Sequence, residues 1–346
     1  MSPCPPRLAL PLTMLALLAC GETTTPTQPE ISGNPELAAQ SLAAARNSWT
    51  PRAATPVGSD IFGYDLGMAP NSAGQSIVYT FGGTSDEEGG TGKSVKAYNV
   101  STNTWTGKSA RVGVFYSNGV SKIGSKLYFS GGYVTAGSLP DATNALWAYD
   151  YRNDRMIKKA NLPIFSAEGV SGVINGKLYV LPGACNGNGY PNPGYCAVEE
   201  TRRFYRYDPA TNTWVSRRQA PHFHRFGAAA VLDGKLYVAG GVGQGGSAVT
   251  ALDVYDPATN TWRTLAPLPR GGKVYGAGLS GGLYVVVQGF NGSSPDHRLY
   301  AYNRATNRWT TKAAPNFFGS VTRVARDGGG SGLFMASRDK SALYTP

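Results

Sequence analysis

Tyr207–Trp214 reads YDPATNTW, and the same eight letters stand again at Tyr255–Trp262. Degraded copies keep the order: AYNVSTNTW closes at Trp105, AYDYRNDRM at Met156 and AYNRATNRW at Trp309. An early Trp49, in NSWTP, looks like the tail of one more. Successive end residues are 56, 51, 58, 48 and 47 apart. Self-similarity at a period near 50 residues fixes the architecture first, because one such unit cannot bury its apolar face alone.

A second marker precedes each copy, a short apolar run ending in glycine: VYTFGG (78–83), LYFSGG (127–132), LYVLPG (178–183), LYVAGG (236–241) and LYVVVQG (283–289). Runs this short, rich in Val, Tyr and Phe and bounded by Gly, Asn and Pro, have strand chemistry. Helical periodicity is absent from about Trp49 onward, and 45 Gly with 23 Pro suit many tight turns. Each repeat reads as four strands. In 225–264 they fall in RFGAAAVLDG, KLYVAGG, SAVTALDVYD and NTWRTLA. The Asp256–Asn260 turn places Pro where φ must be fixed and Asp and Asn where side chains bond back to backbone. A lone four-stranded sheet buries too little; several packed radially share a core, with Tyr and Trp as fillers between sheets.

Gly-Gly after the second strand, then Tyr-Asp, then Trp about six residues on, resembles the kelch repeat of β-propellers. The resemblance covers roughly residues 48–346. It is strongest at 225–264 and thins where Pro182-Gly183 replaces the diglycine, where Met156 replaces the Trp, and where Ala336 and Ser337 replace both glycines. Five complete repeats end at Trp309, and the remaining chain offers only SVTRVAR, GLFMASR and SALYTP. The missing strand is available as Asn47-Ser48-Trp49-Thr50. The expected fold is therefore an all-β, six-bladed kelch-type propeller closed by its N-terminal strand, which removes an exposed sheet edge.

Three segments are expected: a signal peptide over 1–19, a Thr/Pro-rich tether over 20–46 and the propeller over 47–346. Arg7 precedes the apolar run LALPLTMLALLA, too short to span a bilayer and typical of a signal. Leu17-Leu18-Ala19-Cys20 resembles the lipobox of bacterial lipoproteins, which implies lipidation of Cys20 and attachment at the cell envelope, at the outer membrane where there is one. GETTTPTQPEISGNP is a poor core former and a good tether, and ELAAQSLAAAR (36–46) has helix-forming composition. Cys185 and Cys196 lie in one Gly/Asn/Pro-rich insertion, and in an oxidising compartment they are expected to form a disulfide.

Removing Arg7 leaves 31 basic against 21 acidic residues, a charge of +10. Six arginines (202, 203, 206, 217, 218 and 225) concentrate part of it. Such a surface favours anionic partners, and export argues against nucleic acid. Membrane contact is expected through the lipid alone, with the propeller monomeric.

By resemblance to ligand-binding kelch proteins, the loops from each fourth strand to the next first strand do the binding. Those segments carry Arg111 and Tyr116, then Glu168, then His222, His224 and Arg225, then Arg270, Lys273 and Tyr275, then Phe317 and Phe318. Aromatic rings that stack and arginines that fork onto carboxylates suit a sugar or an acidic peptide. Metal is not expected, because the chain has three His and no matching carboxylate run. No cofactor is implied. Gly90-Thr91-Gly92-Lys93-Ser94 echoes a phosphate-binding loop, but Glu87 stands where that motif needs Gly.

The favoured expectation is an envelope-anchored recognition module for a protein or glycan ligand. Bacterial six-bladed kelch mutarotases of sialic acid supply an alternative, with Glu168 as base and Arg225 as carboxylate clamp by that resemblance. A scaffold for an envelope complex is the third.

Overall fold

The computed structural model describes residues 46–56, 61–85, 94–136, 139–184, 202–291, 294–326 and 329–346. Cys20, Cys185, Cys196 and the 36–45 segment lie outside the described residues, as does 86–93 of the rejected phosphate-loop echo.

Six antiparallel four-stranded sheets make up the unit. Strands are lettered A to D from the channel outward. Blade 1 comprises Asp65–Pro70, Ser76–Phe81, Ser94–Asn99 and Thr104–Arg111. Blade 4, the most regular, comprises Ala228–Leu232, Lys235–Ala239, Leu252–Asp256 and Thr261–Leu265. Blade 6 takes strands A to C from the C-terminus (Ser320–Ala325, Ser331–Ser337 and Lys340–Thr345) and strand D from Ser48–Pro51, with Trp49 opposite Tyr344. The A strands touch neighbour to neighbour in a closed ring.

Aromatic and aliphatic side chains fill each of the six seams between blades. The repeated letters explain how the seams are locked. Tyr255 on strand C donates its hydroxyl to Asn260 Oδ1 at 2.8 Å, in the same blade's C–D turn. That oxygen also accepts the Arg218 N–H of blade 3 at 3.2 Å, while the Trp262 indole donates to the Arg218 carbonyl at 2.8 Å. Asn260 has φ +52°, a left-handed conformation that Asn tolerates better than most residues. The motif is thus a latch across a blade boundary, and it repeats with Tyr98, Asn103 and Trp105, with Tyr207, Asn212 and Trp214, and with Tyr302, Asn307 and Trp309.

Two departures sharpen the reading. In blade 2, where Met156 cannot donate, Asp154 replaces Asn and accepts from Tyr149 at 2.8 Å and from the Ser109 N–H and hydroxyl at 2.7 and 2.6 Å. A charged acceptor substitutes for the missing indole bond. In blade 6 the latch is split between the chain ends: Tyr344 donates to Asn47 Oδ1, Ala313 N–H donates to the same oxygen, and Trp49 donates to the Ala313 carbonyl, each at 2.9 Å.

The glycines after strand B answer a different need. A methyl group at Gly82 would overlap the Val114 carbonyl of the next blade, and one at Gly241 would overlap the Arg225 carbonyl. Both residues also have positive φ. These glycines let the loops that lead into the A strands press against the mouth of the channel.

Candidate functional site

Backbone hydrogen bonds link those lead-in loops in series from blade 1 to blade 5. Tyr116 N–H donates to the Gly63 carbonyl at 2.7 Å, Glu168 N–H to Tyr116 at 2.8 Å, Phe226 N–H to Glu168 at 2.7 Å and Val274 N–H to Phe226 at 3.0 Å. Tyr116, Glu168 and Phe226 have φ of +50°, +60° and +53°. Non-glycine residues pay for that conformation. Here three equivalent positions adopt it together, and their side chains all line the channel.

The channel holds a cavity of about 360 Å³, lined by the inner strands of all six blades. Its upper wall carries Asp65, Tyr116, Glu168, Phe226 and Tyr275; Lys122 and Arg323 lie further along the A strands. Ser121 and Ser171 hydroxyls meet across one boundary at 3.1 Å. The wall therefore mixes polar groups with the apolar side chains of the inner strands.

Glu168 is only 6% exposed. Burial raises its carboxyl above the usual carboxylate range, opposed by a hydrogen bond and charge from Arg225, by Lys273 and by the Tyr133 hydroxyl. Arg225 Nε donates directly to Glu168 Oε2. Buried Asn118 holds the loop in place: its Oδ1 accepts from the Ser166 hydroxyl at 2.9 Å and from Gly169 N–H at 3.0 Å. Lys273 Nζ stands 3.7 Å from the Phe226 ring centroid and 4.8 Å from that of Tyr116. Burial pushes its ammonium down to about 8, with Glu168 opposing and Arg225 adding to the fall. Asp65 lines the cavity and is partly exposed there, yet lies deep in the protein. That depth pushes its carboxyl up to about 6 against the hydrogen bond from Ser117 N–H.

Of the residues expected to converge, Tyr116, Glu168, Arg225 and Lys273 form one cluster, and Tyr275 lies beside it in the same wall. The others stand elsewhere. Arg111 folds back onto the carbonyls of Lys108, Ser109 and Ala110. Arg270 binds the Asp296 carboxylate at 2.9 Å. Phe317 and Phe318 are half-buried against the seam between blades 5 and 6, where the Phe318 ring backs Tyr275 at 5.1 Å. His222 and His224 do point to one side, but that side is Asp253: His222 Nδ1 is 2.9 Å from Oδ2 and His224 Nε2 is 3.1 Å from it. Neither histidine lines the cavity. Among the described residues no cluster of three His, Cys, Asp or Glu has a metal-holding arrangement. Phe226, Tyr133 and Asp65 complete the mouth and were not singled out in the sequence. The aromatics read as blade filler there, and only the contacts of Phe226 with Lys273 and of Tyr133 with Glu168 reveal them.

The Kelch motif matches residues 225–269, which is blade 4. Kelch-like protein 38 of Rattus norvegicus is 28% identical over 145 residues, 42% of this chain and 22% of the relative. Kelch-like protein 38 of Homo sapiens is 27% identical over 176 residues, 51% of this chain and 26% of the relative. The aligned stretch thus spans about a quarter of the length of these curated relatives. The solved structure of YjhT superposes with a TM-score of 0.63 at 18% identity, covering 84% of this chain and 99% of that one. That likeness concerns the fold. Repeat, seams and closure together make the chain a kelch-repeat β-propeller with six blades.

Proposed function

We propose that this propeller is a recognition module that receives a carboxylate-bearing protein or glycan ligand at the channel mouth. Kelch-repeat propellers commonly bind proteins, which supports the coarser part of this reading. The observation that carries the finer part is a local charge imbalance: two cations, Arg225 and Lys273, share the one carboxylate that acts on Lys273, that of Glu168, between two aromatic rings, while Asp65 stands elsewhere in the wall. Arg225 is held by Glu168, so the Lys273 ammonium is the cation left to a ligand carboxylate, and the rings offer flat apolar faces beside it. An array of acidic glycans and acidic peptides tests the proposal. Acidic members should bind, and Lys273→Met should abolish the signal; indifference to that substitution would remove the mouth from consideration.

A specific feature also supports the carbohydrate-active reading. Glu168 and Lys273 titrate away from their ordinary ranges in one enclosed site, the condition proton-transfer catalysts need. Anomerisation of sialic acid followed by NMR decides it: a rate above buffer that vanishes in Glu168→Gln supports the enzyme, and no rate above buffer discards it.

The sequence supports two further proposals outside the described residues. Cys20 would tether the protein to a membrane by lipid, and Cys20→Ala should release it to the soluble fraction. Cys185 and Cys196 would form a disulfide, visible as a two-hydrogen mass difference on reduction.

A further inference from the structure

Position 206 breaks the repeat. On strand C, the residue before the latch tyrosine faces the next blade, and it is Ala97, Ala148, Val254, Ala301 and Leu343 in blades 1, 2, 4, 5 and 6. All five are buried apolar residues. Blade 3, built from Val170–Ile174, Lys177–Leu181, Phe204–Asp208 and Thr213–Arg217, has Arg206 there instead.

A second arginine joins it. Strand D pairs Val215 with Arg206 and Arg217 with Phe204, so Arg206 and Arg217 are diagonal neighbours on one sheet face. Diagonal positions are roughly 7–8 Å apart, within reach of two long side chains. The Phe204 ring identifies that face, because it packs on Tyr255 and Trp262 of blade 4 at 4.7 and 4.9 Å. Both guanidinium charges reach Tyr255 and favour its ionised form, against burial and the nearby Tyr179, which push its hydroxyl up to about 12.

The Nε atoms of Arg206 and Arg217 are buried and have no hydrogen-bond partner, and the same holds for Nε of Arg202, just upstream on the chain. Among the described residues neither the Arg206 nor the Arg217 side chain has an ion pair or hydrogen bond. Asp208, whose charge Arg206 feels, is taken up by Lys177 at 2.5 Å and by the Ala210 N–H at 3.0 Å. Like charges set together with buried donors unmet are unfavourable unless something supplies acceptors. Val215, on the same outer strand, is 42% exposed, so the seam is open at this point.

We propose that the outer seam between blades 3 and 4 is an oxyanion site, separate from the channel mouth, and that Arg206 and Arg217 take a phosphate group there. A tetrahedral dianion offers several acceptor oxygens, and guanidinium forks match them in pairs. The group is either a free phosphate ion or part of a phosphorylated polymer.

The test compares melting temperatures in chloride, in inorganic phosphate and in polyphosphate at matched ionic strength, for the wild type, Arg206→Val and Lys273→Met. Valine is the blade 4 residue at this position, so the seam keeps a side chain the repeat already accepts. The proposal expects phosphate or polyphosphate to raise the wild-type melting temperature by several degrees, with the rise retained in Lys273→Met and lost in Arg206→Val. A rise with inorganic phosphate identifies a free ion as sufficient, and a rise with polyphosphate alone identifies a polymer. Equal rises in the wild type and Arg206→Val, or no rise with either probe, overturn it. Each protein is compared with itself in chloride, so a change in basal stability does not obscure the result.

Discussion

Lys273 Nζ lies 3.7 Å from the centre of the Phe226 ring, and that ring belongs to the loop of the preceding blade. The contact joins two blades at a place where a cation, a carboxylate and aromatic faces meet. Burial has lowered the Lys273 ammonium to about 8. A depressed lysine pKa means that the folded state holds fewer protons than the unfolded chain between about 8 and the ordinary lysine value near 10.4. Its buried charge therefore costs stability below about 8, and the cost is relieved as pH rises through that window.

Phe226→Leu removes the ring and admits water around the ammonium. Burial is the main cause of the depression, so its relief should outweigh the lost cation–π attraction, and the midpoint of Lys273 titration should climb from about 8 toward the ordinary lysine value. The pH profile of acylation at Lys273, read by mass spectrometry, measures it. An unchanged midpoint would mean the ring does not set the environment.

Asp65 makes the opposite prediction. Its folded pKa is raised to about 6, so the folded state binds the extra proton, and stability falls as pH rises from about 4 to about 6. Asp65→Asn keeps an acceptor for the Ser117 N–H and removes the charge. It should stabilise the protein by about 1–2 kcal/mol at neutral pH, allowing for the partial exposure of Asp65, and flatten the acid limb of the stability curve. Urea titrations across that range report both effects.

The latch predicts an ordered series at Asn260. Asn260→Ala loses the acceptor for Tyr255 and Arg218 and keeps the left-handed φ, at a cost of about 2–4 kcal/mol. Asn260→Asp should be much milder, since blade 2 uses Asp154 at the same place. Chemical denaturation of the two variants checks the order.

Closure by the N-terminal strand rests on Trp49, half-buried against Tyr344 and bonded to the Ala313 carbonyl. Trp49→Ala should cost about 2–4 kcal/mol. It should also speed hydrogen exchange along Lys340–Thr345, because that strand pairs with Ser48–Pro51. Exchange slowed as in the wild type would show that blade 6 closes without its outer strand.

Fold and site differed in how far the letters could be read. The Tyr, Asn and Trp of the latch have the same physical task at each seam, so they recur, and counting them exposes the blade split between the chain ends. Glu168 and Arg225 were legible as a pair because both lie at loop positions fixed by the repeat. His222 and His224 were not, since their partner Asp253 sits on a strand where its inward direction leaves no trace in the local sequence. Phe226 was hidden for a related reason: an aromatic after Arg225 reads as core until its positive φ turns it into the channel. Arg206 was readable all along, but only by laying the blades over one another and asking which residue does not fit.

The central claim, that the mouth receives a carboxylate through Lys273, is tested most directly by calorimetric titration of an array-selected acidic ligand across pH 7 to 9. The account predicts that affinity for the wild type declines as the ammonium deprotonates near pH 8, and that Lys273→Met shows at least a tenfold loss at pH 7 with no such decline. Affinity that is independent of pH through this window and equal in the wild type and Lys273→Met would contradict it.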